Sequence, residues 1–330
     1  MKELKVGFIG CGGIAKGHAT RLSTLSEVRL KAFSDIVEEK AREFSRQHGG
    51  NVYTDWRAMM DREALDIVYV CLPPFAHTDE VMVAAEKGVH IFIEKPIALE
   101  LALAKRMAEA VRKQGVKSQV GYNCRFGYGV EKAKSIIESG EAGDVGLAFG
   151  RYWCNFLGGS WWRDKKRSGG QIVEQATHLY DALRYLCGDI ERVYCETDKR
   201  FWVDVPDLTI EDVSSTTFRF KSGGVGSIVS TTGGVPNRWW FHWLIAAKNY
   251  TFESQDTATL TLYTTQTPVR MESTSEERDT YLLESKDFVK AILENGETRT
   301  PITEGVKSLE FTLAAMKSME ERCPVALPLE

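Results

Sequence analysis

Residues 4–120 alternate between short apolar segments and longer segments with helical periodicity. The apolar segments read LKVGFIG, VRLKAFSD, DIVYVCLPP, HIFIEKP and KSQVGYN, and helix-like segments lie between them. Strands and helices that alternate at this spacing form βαβ units, in which the strands pair in parallel and the crossovers are right-handed. The chain therefore begins with a doubly wound α/β domain.

The pattern changes near residue 122. Beyond the segment GGQIVEQATHLYDALRYLCG, several strand-like segments follow one another with only short turns between them, and two helix-like segments end the chain. Consecutive strands without intervening helices favour an antiparallel or mixed sheet. We therefore predict a second α/β domain after residue 122.

Composition argues against several classes of partner. The net charge of −4 leaves no basic surface of the kind that binds nucleic acid. No apolar run reaches the roughly 20 residues that a membrane helix needs. The first residues include no long apolar stretch with a cleavage site, so we do not expect secretion. The seven cysteines include no CxxC pair, which is typical of reduced thiols. We expect a cytoplasmic protein without nucleic-acid or membrane partners.

A glycine-rich turn joins the first strand-like segment to the first helix-like segment. Gly10, Gly12, Gly13, Ile14 and Ala15 fit the pattern G-x-G-x-x-A. The first glycine permits the tight turn, the second lets the backbone approach a pyrophosphate, and the small last residue lets helix and strand pack closely. We predict that these residues bind a dinucleotide at the helix N-terminus, although a turn without a ligand fits the same short pattern.

An acidic residue, Asp35, ends the second strand-like segment. A carboxylate there can accept hydrogen bonds from the adenosine ribose and repel a 2′-phosphate, so we predict NAD as cofactor and rank NADP below it. No arginine follows Asp35 directly, as a 2′-phosphate site would often require. The alternative is that Asp35 and Glu38 form a capping box for the next helix.

Two further groups of residues lie at the carboxyl ends of predicted strands, the edge at which open α/β sheets bind ligands. They are Cys71, Leu72, Pro73 and His77 in one loop, and Glu94 with Lys95 in IFIEKP. We predict that both groups contact the cofactor. Lys95 could also donate to a substrate oxygen and stabilise alkoxide character there. The alternatives are a rigid loop in which His77 starts a helix, and a surface salt bridge between Glu94 and Lys95.

The segment GGQIVEQATHLYD places Glu174, His178 and Asp181 at the helical spacing i, i+4 and i+7. Histidine accepts a proton near neutral pH, so His178 is a candidate general acid/base with a carboxylate nearby to orient it. The alternative is a helix with a satisfied polar edge. No metal site is predicted, because E-x-x-x-H supplies two ligands and no third is obvious.

These motifs, in this order and at this spacing, resemble the Gfo/Idh/MocA oxidoreductases, which include glucose–fructose oxidoreductase and inositol dehydrogenase. The resemblance covers nearly the whole chain, and the E-K-P tripeptide is specific in this context. It implies a Rossmann domain over residues 1–122. It also implies a substrate-binding and oligomerisation α/β domain over 123–330 with a large open, mostly antiparallel sheet. The C-terminal helix is a candidate to pack back on the first domain.

The resemblance also implies roles for individual residues. Lys95 matches the family's catalytic lysine, and His178 matches its general acid/base. Glu174 stands where the family's dehydrogenases have Asp, one methylene shorter. The predicted substrate contacts are Asn123, Arg125, Trp162, Arg163 and Asp181. For Trp162 and Arg163 the alternative is a core tryptophan beside a solvated basic residue.

We therefore predict an NAD-dependent oxidoreductase that transfers a hydride between nicotinamide and a hydroxyl-bearing carbon of a sugar, cyclitol or related polyol. His178 takes the hydroxyl proton, Lys95 donates to the same oxygen, and Glu174 helps to position them. The family suggests a homodimer or homotetramer. The alternatives are an NADP-linked reductase or dihydrodiol-type dehydrogenase of the same family, and a dinucleotide-binding sensor without turnover.

Overall fold

The computed structural model describes residues 3–329, in which the chain divides into two compact units. The first unit comprises the residues up to Asn123 together with Asp279–Val306, and the second comprises Cys124–Arg278 with the residues from Lys307 onward. The predicted domain boundary between residues 122 and 123 stays a prediction. A segment from late in the chain belongs to the first unit.

The helices are α1 (Gly13–Leu22), α2 (Glu38–His48), α3 (Trp56–Arg62), α4 (Glu80–Glu86), α5 (Leu101–Gln114), α6 (Tyr128–Glu138), α7 (Ser160–Arg163), α8 (Lys165–Ser168), α9 (Thr177–Cys187), α10 (Thr280–Leu293) and α11 (Ile302–Glu321). The strands are β1 (Leu4–Ile9), β2 (Val28–Ser34), β3 (Asn51–Tyr53), β4 (Ile67–Val70), β5 (His90–Ile93), β6 (Ser118–Val120), β7 (Val145–Trp153), β8 (Ile190–Asp198), β9 (Val213–Phe220), β10 (Val225–Thr231), β11 (Trp240–Ala247), β12 (Tyr250–Ser254), β13 (Thr259–Thr264), β14 (Met271–Ser275) and β15 (Val325–Ala326). Within residues 3–329, no helix has the length and apolar character needed to cross a membrane.

The first unit contains a six-stranded parallel sheet in the order β3-β2-β1-β4-β5-β6. This confirms the predicted doubly wound sheet. The strand order reverses between β1 and β4, so a crevice opens at their carboxyl ends. The edge strand β3 and the following α3 were not predicted, because a three-residue strand is too short to show a period of two.

The segment Asp279–Val306 completes this first unit. Phe288 of α10 is buried, and its ring lies 6.0 Å from that of Phe92 on β5 and 6.3 Å from that of Tyr69 on β4. Thr300 follows α10, and its carbonyl accepts a hydrogen bond from the amide of Val120 on β6 at 2.8 Å. The segment after residue 278 therefore supplies both a core layer and backbone hydrogen bonds to the parallel sheet.

The second unit contains a nine-stranded sheet in the order β14-β13-β12-β11-β7-β10-β9-β8-β15. Its pairs are antiparallel except for β7 with β10, which confirms the predicted mostly antiparallel sheet. Helix α9 packs closely on one face: a methyl group added at Gly150 on β7 would lie 2.7 Å from the Leu179 side chain. Glycine at this position lets the helix approach the strand.

We expect Phe288→Ala to lower the free energy of unfolding by about 3–5 kcal/mol, because it opens a cavity beside Phe92 and Tyr69. Urea unfolding followed by circular dichroism measures the change. The control is Phe201→Ala, which truncates an exposed ring of the second unit. Equal stability of the two variants would contradict the assignment of α10 to the core of the first unit.

Candidate active site

The glycine turn between β1 and α1 is shaped to accept an anion. Gly10 has a φ of +89°, and a methyl group there would lie 2.5 Å from the carbonyl oxygen of Cys71, so this position requires glycine. At Gly12 and Gly13 a methyl group would meet no described atom within 4 Å. No side chain of residues 3–329 caps the N-terminus of α1. Its backbone N–H groups and helix dipole therefore fit a pyrophosphate.

The other predicted members of the turn differ in exposure. Ile14 is partly exposed, whereas Ala15 is fully buried. A small side chain in the first turn lets a helix lie close to the preceding strand, as the motif predicts.

Asp35 lies directly after β2 and is bound to the glycine turn. One carboxylate oxygen accepts a hydrogen bond from the amide of Cys11 at 2.9 Å, and the other accepts from the amide of Val37 at 2.9 Å. Helix α2 begins at Glu38 without a side-chain cap, so the alternative capping box is not formed. The carboxylate is instead held beside the turn, where it suits a ribose.

The loop after β4 is anchored by buried side chains. Cys71 is buried, and burial followed by the charge of Glu94 raises the pKa of its thiol well above the usual range. Leu72 and Pro73 are partly exposed at the strand end. The His77 ring is buried, and its Nδ1 lies 2.6 Å from a carboxylate oxygen of Glu80 in α4. His77 thus holds the loop on the start of α4, as the alternative interpretation has it.

The E-K-P segment follows β5. Glu94 is buried, and one of its oxygens lies 2.7 Å from Nε2 of His18 in α1. Its other oxygen accepts a hydrogen bond from the amide of Lys95 at 3.2 Å. A methyl group at Gly121 would lie 2.9 Å from this carboxylate, so the neighbouring backbone encloses it. The alternative, a surface salt bridge between Glu94 and Lys95, does not fit Glu94, which is buried and pairs with a histidine in the interior.

Asn123 lies near the end of β6 and is buried. Its side-chain amide donates to the hydroxyl of Thr280 at 2.8 Å, at the start of α10. Gln119 of β6 donates from its side chain to the carbonyl of Glu284 at 2.5 Å. Two polar side chains at this strand end therefore bind α10.

The predicted helical register holds for His178 and Asp181, which both lie in α9, but it is wrong for Glu174. Residues Ile172–Ala176 form a π-helical turn, and the regular helix α9 begins only at Thr177. A π turn contains more residues than an α turn, so Glu174 does not continue the face of α9. His178 is buried in the first turn of α9, and Glu174 is half-buried before it.

Glu174 has a partner that its position in the sequence did not suggest. Its carboxylate accepts a hydrogen bond from the indole nitrogen of Trp162 at 2.6 Å. Trp162 is buried against Leu208 and Ile210, so it belongs to a local core. Arg163 donates to the carbonyl of Gly158 at 2.9 Å, and its guanidinium lies 3.4 Å from Asp207. The exposed ring of Phe156 lies 5.4 Å from that of Trp162, and the exposed ring of Trp239 lies 5.7 Å from that of Phe156.

Arg125 and Asp181 form a buried ion pair. Two nitrogens of Arg125 lie 2.7 and 2.6 Å from the two carboxylate oxygens of Asp181, and each residue is 1% exposed. The hydroxyl of Ser308 also donates to Asp181 at 2.6 Å. Opposite charges tolerate burial when they pair and are hydrogen-bonded. Both residues were predicted substrate contacts. In the structure, Asp181 of α9 instead binds Arg125, which precedes α6, and Ser308 of α11.

Glu211 is a buried acid that sequence reasoning missed. One of its oxygens accepts a hydrogen bond from the amide of Ile172 at 2.9 Å, at the first residue of the π turn. Burial raises the pKa of this carboxyl. A methyl group at Gly170 would lie 2.5 Å from it. No motif marks Glu211, because its role arises only when the loop before β9 meets the segment before α9.

Comparisons with known proteins agree with the fold and the glycine turn. A family model described as "Oxidoreductase family, NAD-binding Rossmann fold" matches residues 4–122, and one described as "GFO/IDH/MocA C-terminal domain" matches residues 130–253. The myo-inositol 2-dehydrogenase of Thermotoga maritima is 27% identical over 98% of each chain. The levoglucosan dehydrogenase of Pseudarthrobacter phenanthrenivorans is 27% identical over 70% of this chain and 68% of that protein.

A solved structure of levoglucosan dehydrogenase in complex with NADH and levoglucosan superimposes with a TM-score of 0.90. Its sequence is 23% identical, and the match covers 99% of this chain and 100% of that one. This likeness shows a shared fold. Because the two family models together match more than half of its residues, the chain belongs to the Gfo/Idh/MocA oxidoreductase family.

Proposed function

We propose that this protein is an NAD-dependent dehydrogenase that transfers a hydride between nicotinamide and a hydroxyl-bearing carbon of a sugar, cyclitol or related polyol. The observation that carries the proposal is the open glycine turn at the uncapped N-terminus of α1, beside the carboxylate of Asp35. The substrate class is supported by the relatives named for myo-inositol and levoglucosan.

The cofactor would be held by residues at the strand ends of the first unit. Gly12 and Gly13 leave room for the pyrophosphate, and Asp35 would accept hydrogen bonds from the ribose. A 2′-phosphate would bring like charge to that carboxylate, which supports NAD over NADP. Leu72 and Pro73 are the partly exposed residues of the loop after β4, so they are the proposed contacts there.

The bound dinucleotide supplies the hydride chemistry, and the chain supplies orientation and charge. Lys95, in the first unit, is proposed to donate a hydrogen bond to the reacting oxygen and to stabilise its negative charge. His178, in the second unit, is proposed to take the hydroxyl proton. Each assignment follows the family motif at that position.

Glu174 is proposed to act through Trp162. A glutamate reaches the indole nitrogen at 2.6 Å, and an aspartate would be one methylene shorter. The hydrogen bond fixes the buried indole against its apolar neighbours, and Glu174 would thereby stabilise the local core on which the exposed ring of Phe156 packs. The departure from the family's aspartate is thereby given a physical reason within the second unit.

The open face of the nine-stranded sheet is proposed as the interface of a homodimer or homotetramer. Leu147 and Val225 are register partners on the neighbouring strands β7 and β10, and they are 52% and 41% exposed. Phe149 and Leu244 continue the same face as paired residues on β7 and β11. A contiguous apolar strip in the middle of a sheet is usually covered by another surface.

Lys95→Ala and His178→Ala are each expected to lower kcat by about 10²–10⁴-fold, because each removes a group that stabilises or receives charge at the reacting oxygen. A panel of sugars and cyclitols with NAD at alkaline pH, followed by absorbance of the reduced cofactor, first identifies the substrate. NADH binding, followed by fluorescence, should be retained in both variants.

The control for these two variants is Lys113→Ala, an exposed lysine near the end of α5. Wild-type rates in the Lys95 and His178 variants would contradict the assigned roles. NADH binding by the wild-type protein without turnover of any panel member would favour a sensor instead.

Asp35→Ser is expected to shift the ratio of kcat/KM for NAD to that for NADP by about tenfold or more towards NADP, because it removes the charge that repels a 2′-phosphate. Steady-state kinetics with both cofactors measure the ratio. Asp61→Ser, at an exposed acid of α3, is the control. A wild-type protein that already prefers NADP would support the NADP-linked alternative.

Leu147→Asp is expected to convert the assembled protein to monomers, because it places a charge in the proposed apolar interface. Sedimentation velocity at several protein concentrations measures the assembly state. The control, Val203→Asp, introduces the same charge at an exposed loop position. A monomeric wild-type protein, or an unchanged assembly in the Leu147 variant, would refute this interface.

A further inference from the structure

Three buried ionisable side chains of the first unit meet beside the backbone of Lys95. They are His18 from α1, Glu94 at the end of β5 and Glu284 from α10, which are 1%, 5% and 0% exposed. One nitrogen or oxygen from each lies within 4.8 Å of the others. Three elements that are distant in sequence therefore bring an imidazole and two carboxyl groups together.

Glu94 links this cluster to Lys95. One carboxylate oxygen lies 2.7 Å from Nε2 of His18, and the other accepts a hydrogen bond from the Lys95 amide at 3.2 Å. Because each oxygen is bound to a different partner, the carboxylate cannot rotate without breaking one of these two hydrogen bonds. The orientation of His18 thus sets the orientation of Glu94, and with it the backbone from which the Lys95 side chain extends.

The His18 ring is itself held by aromatic neighbours. Its centroid lies 4.8 Å from that of Phe92, 5.4 Å from that of Tyr69 and 5.9 Å from that of Tyr281. Rings packed on several sides leave an imidazole little freedom to rotate. His18 and Glu94 are both buried, so the hydrogen bond between them is shielded from competing water.

Glu284 poses an electrostatic problem. Among residues 3–329, neither of its carboxyl oxygens has a hydrogen-bond partner. Two ionised carboxylates this close in an apolar interior would repel each other strongly. Burial, followed by the charge of Glu94, raises the pKa of Glu284 well above the usual range.

The charges around Glu284 do not remove this problem. The titratable and charged groups that face it are His18 and Arg21 from α1, Tyr69 on β4 and Cys71 directly after that strand, Glu94, Asp279 at the cap of α10, and Asp287 within α10. The guanidinium of Arg21 is bound to Asp279, at 2.8 and 2.9 Å from its two oxygens. The guanidinium among these groups is therefore already paired with another acid.

We propose that His18 is a positioning residue for Lys95, acting through Glu94, and that Glu284 holds a proton, so that Glu94 is the single carboxylate of the cluster. His18 donates from Nε2 to this carboxylate. The catalytic part of the inference rests on the proposed function of Lys95, whereas the proton on Glu284 does not.

A divalent cation is the competing way to neutralise the cluster, since a histidine and two glutamates are common metal ligands. The direct contact of 2.7 Å between His18 and Glu94 and the enclosing aromatic rings favour a proton over a hydrated ion. A bound cation is therefore an outcome that the experiments must be able to detect.

The first experiment compares His18→Leu with His18→Gln. The leucine variant loses the donor to Glu94, and we expect kcat to fall about ten- to a hundredfold while the dissociation constant of NADH is unchanged. A glutamine amide can still donate to Glu94, so this variant should recover most of kcat. His48→Leu is the control, because that ring packs on Phe33 and Phe44 away from the cluster.

Wild-type kcat in the leucine variant would overturn the positioning role. So would a loss confined to NADH affinity, or a glutamine variant as impaired as the leucine variant. Full turnover in Lys95→Ala would contradict the proposed role of Lys95 and not the proton on Glu284. That proton is tested by a separate measurement, the pH dependence of thermal unfolding.

The second experiment compares Glu284→Gln with the wild-type protein by thermal unfolding across pH, in the presence of EDTA. A carboxyl whose folded pKa is raised contributes stability that is complete below its ordinary value of 4.5 and is lost as pH rises through the folded pKa. The glutamine side chain is neutral throughout. The Tm of the variant should therefore rise relative to wild type as pH increases above 4.5.

Glu38→Gln, at an exposed acid of α2, is the control and should show no such rise. A Tm difference for Glu284→Gln that does not change with pH would overturn the assigned proton. Zn²⁺ or Mn²⁺ alone is then added to the wild-type protein. An increase in Tm that Glu284→Gln abolishes would identify a cation site and would equally overturn the proposal.

Discussion

Parallel strands direct all their carboxyl ends to the same edge of a sheet, and the functional residues of the first unit depend on this constraint. The glycine turn, Asp35, the loop after β4 and the E-K-P segment each follow a different strand. They lie far apart in sequence, yet the sheet order gathers them on either side of the point between β1 and β4. A dinucleotide site on this fold is therefore assembled by strand pairing.

A second constraint governs the buried polar residues of each unit, because a buried charge must find a partner. His18 with Glu94, His77 with Glu80, and Arg125 with Asp181 are all pairs of this kind. Such pairs stabilise particular arrangements of loops and helices, since separating them would leave a bare charge in the interior. Several side chains whose chemistry would suit catalysis or binding thus form pairs that hold loops and helices of this chain together.

The sequence was sufficient for the parallel sheet, the mostly antiparallel sheet and the glycine turn, because each has a local pattern. It was insufficient where a partner comes from elsewhere in the chain. The i, i+4 spacing of Glu174 and His178 assumes a regular helix, and the π turn before Thr177 breaks that assumption. Arg125 and Asp181 looked like contacts for a ligand because no pattern in one sequence reveals that they meet. For the same reason, the sequence did not reveal that Glu94 pairs with His18 or that Glu174 pairs with Trp162.

The return of the chain to its first unit affects the order in which that unit can form. During synthesis the six strands of the parallel sheet emerge early, whereas Phe288 and Thr300 are added only after eight of the nine strands of the second sheet, β7 to β14, have been made. Until then, Phe92 and Tyr69 lack their covering helix, and Val120 on the edge strand β6 lacks its hydrogen bond to Thr300. The nascent dinucleotide-binding unit must therefore wait with exposed aromatic surface, a state in which chaperones recognise unfinished proteins.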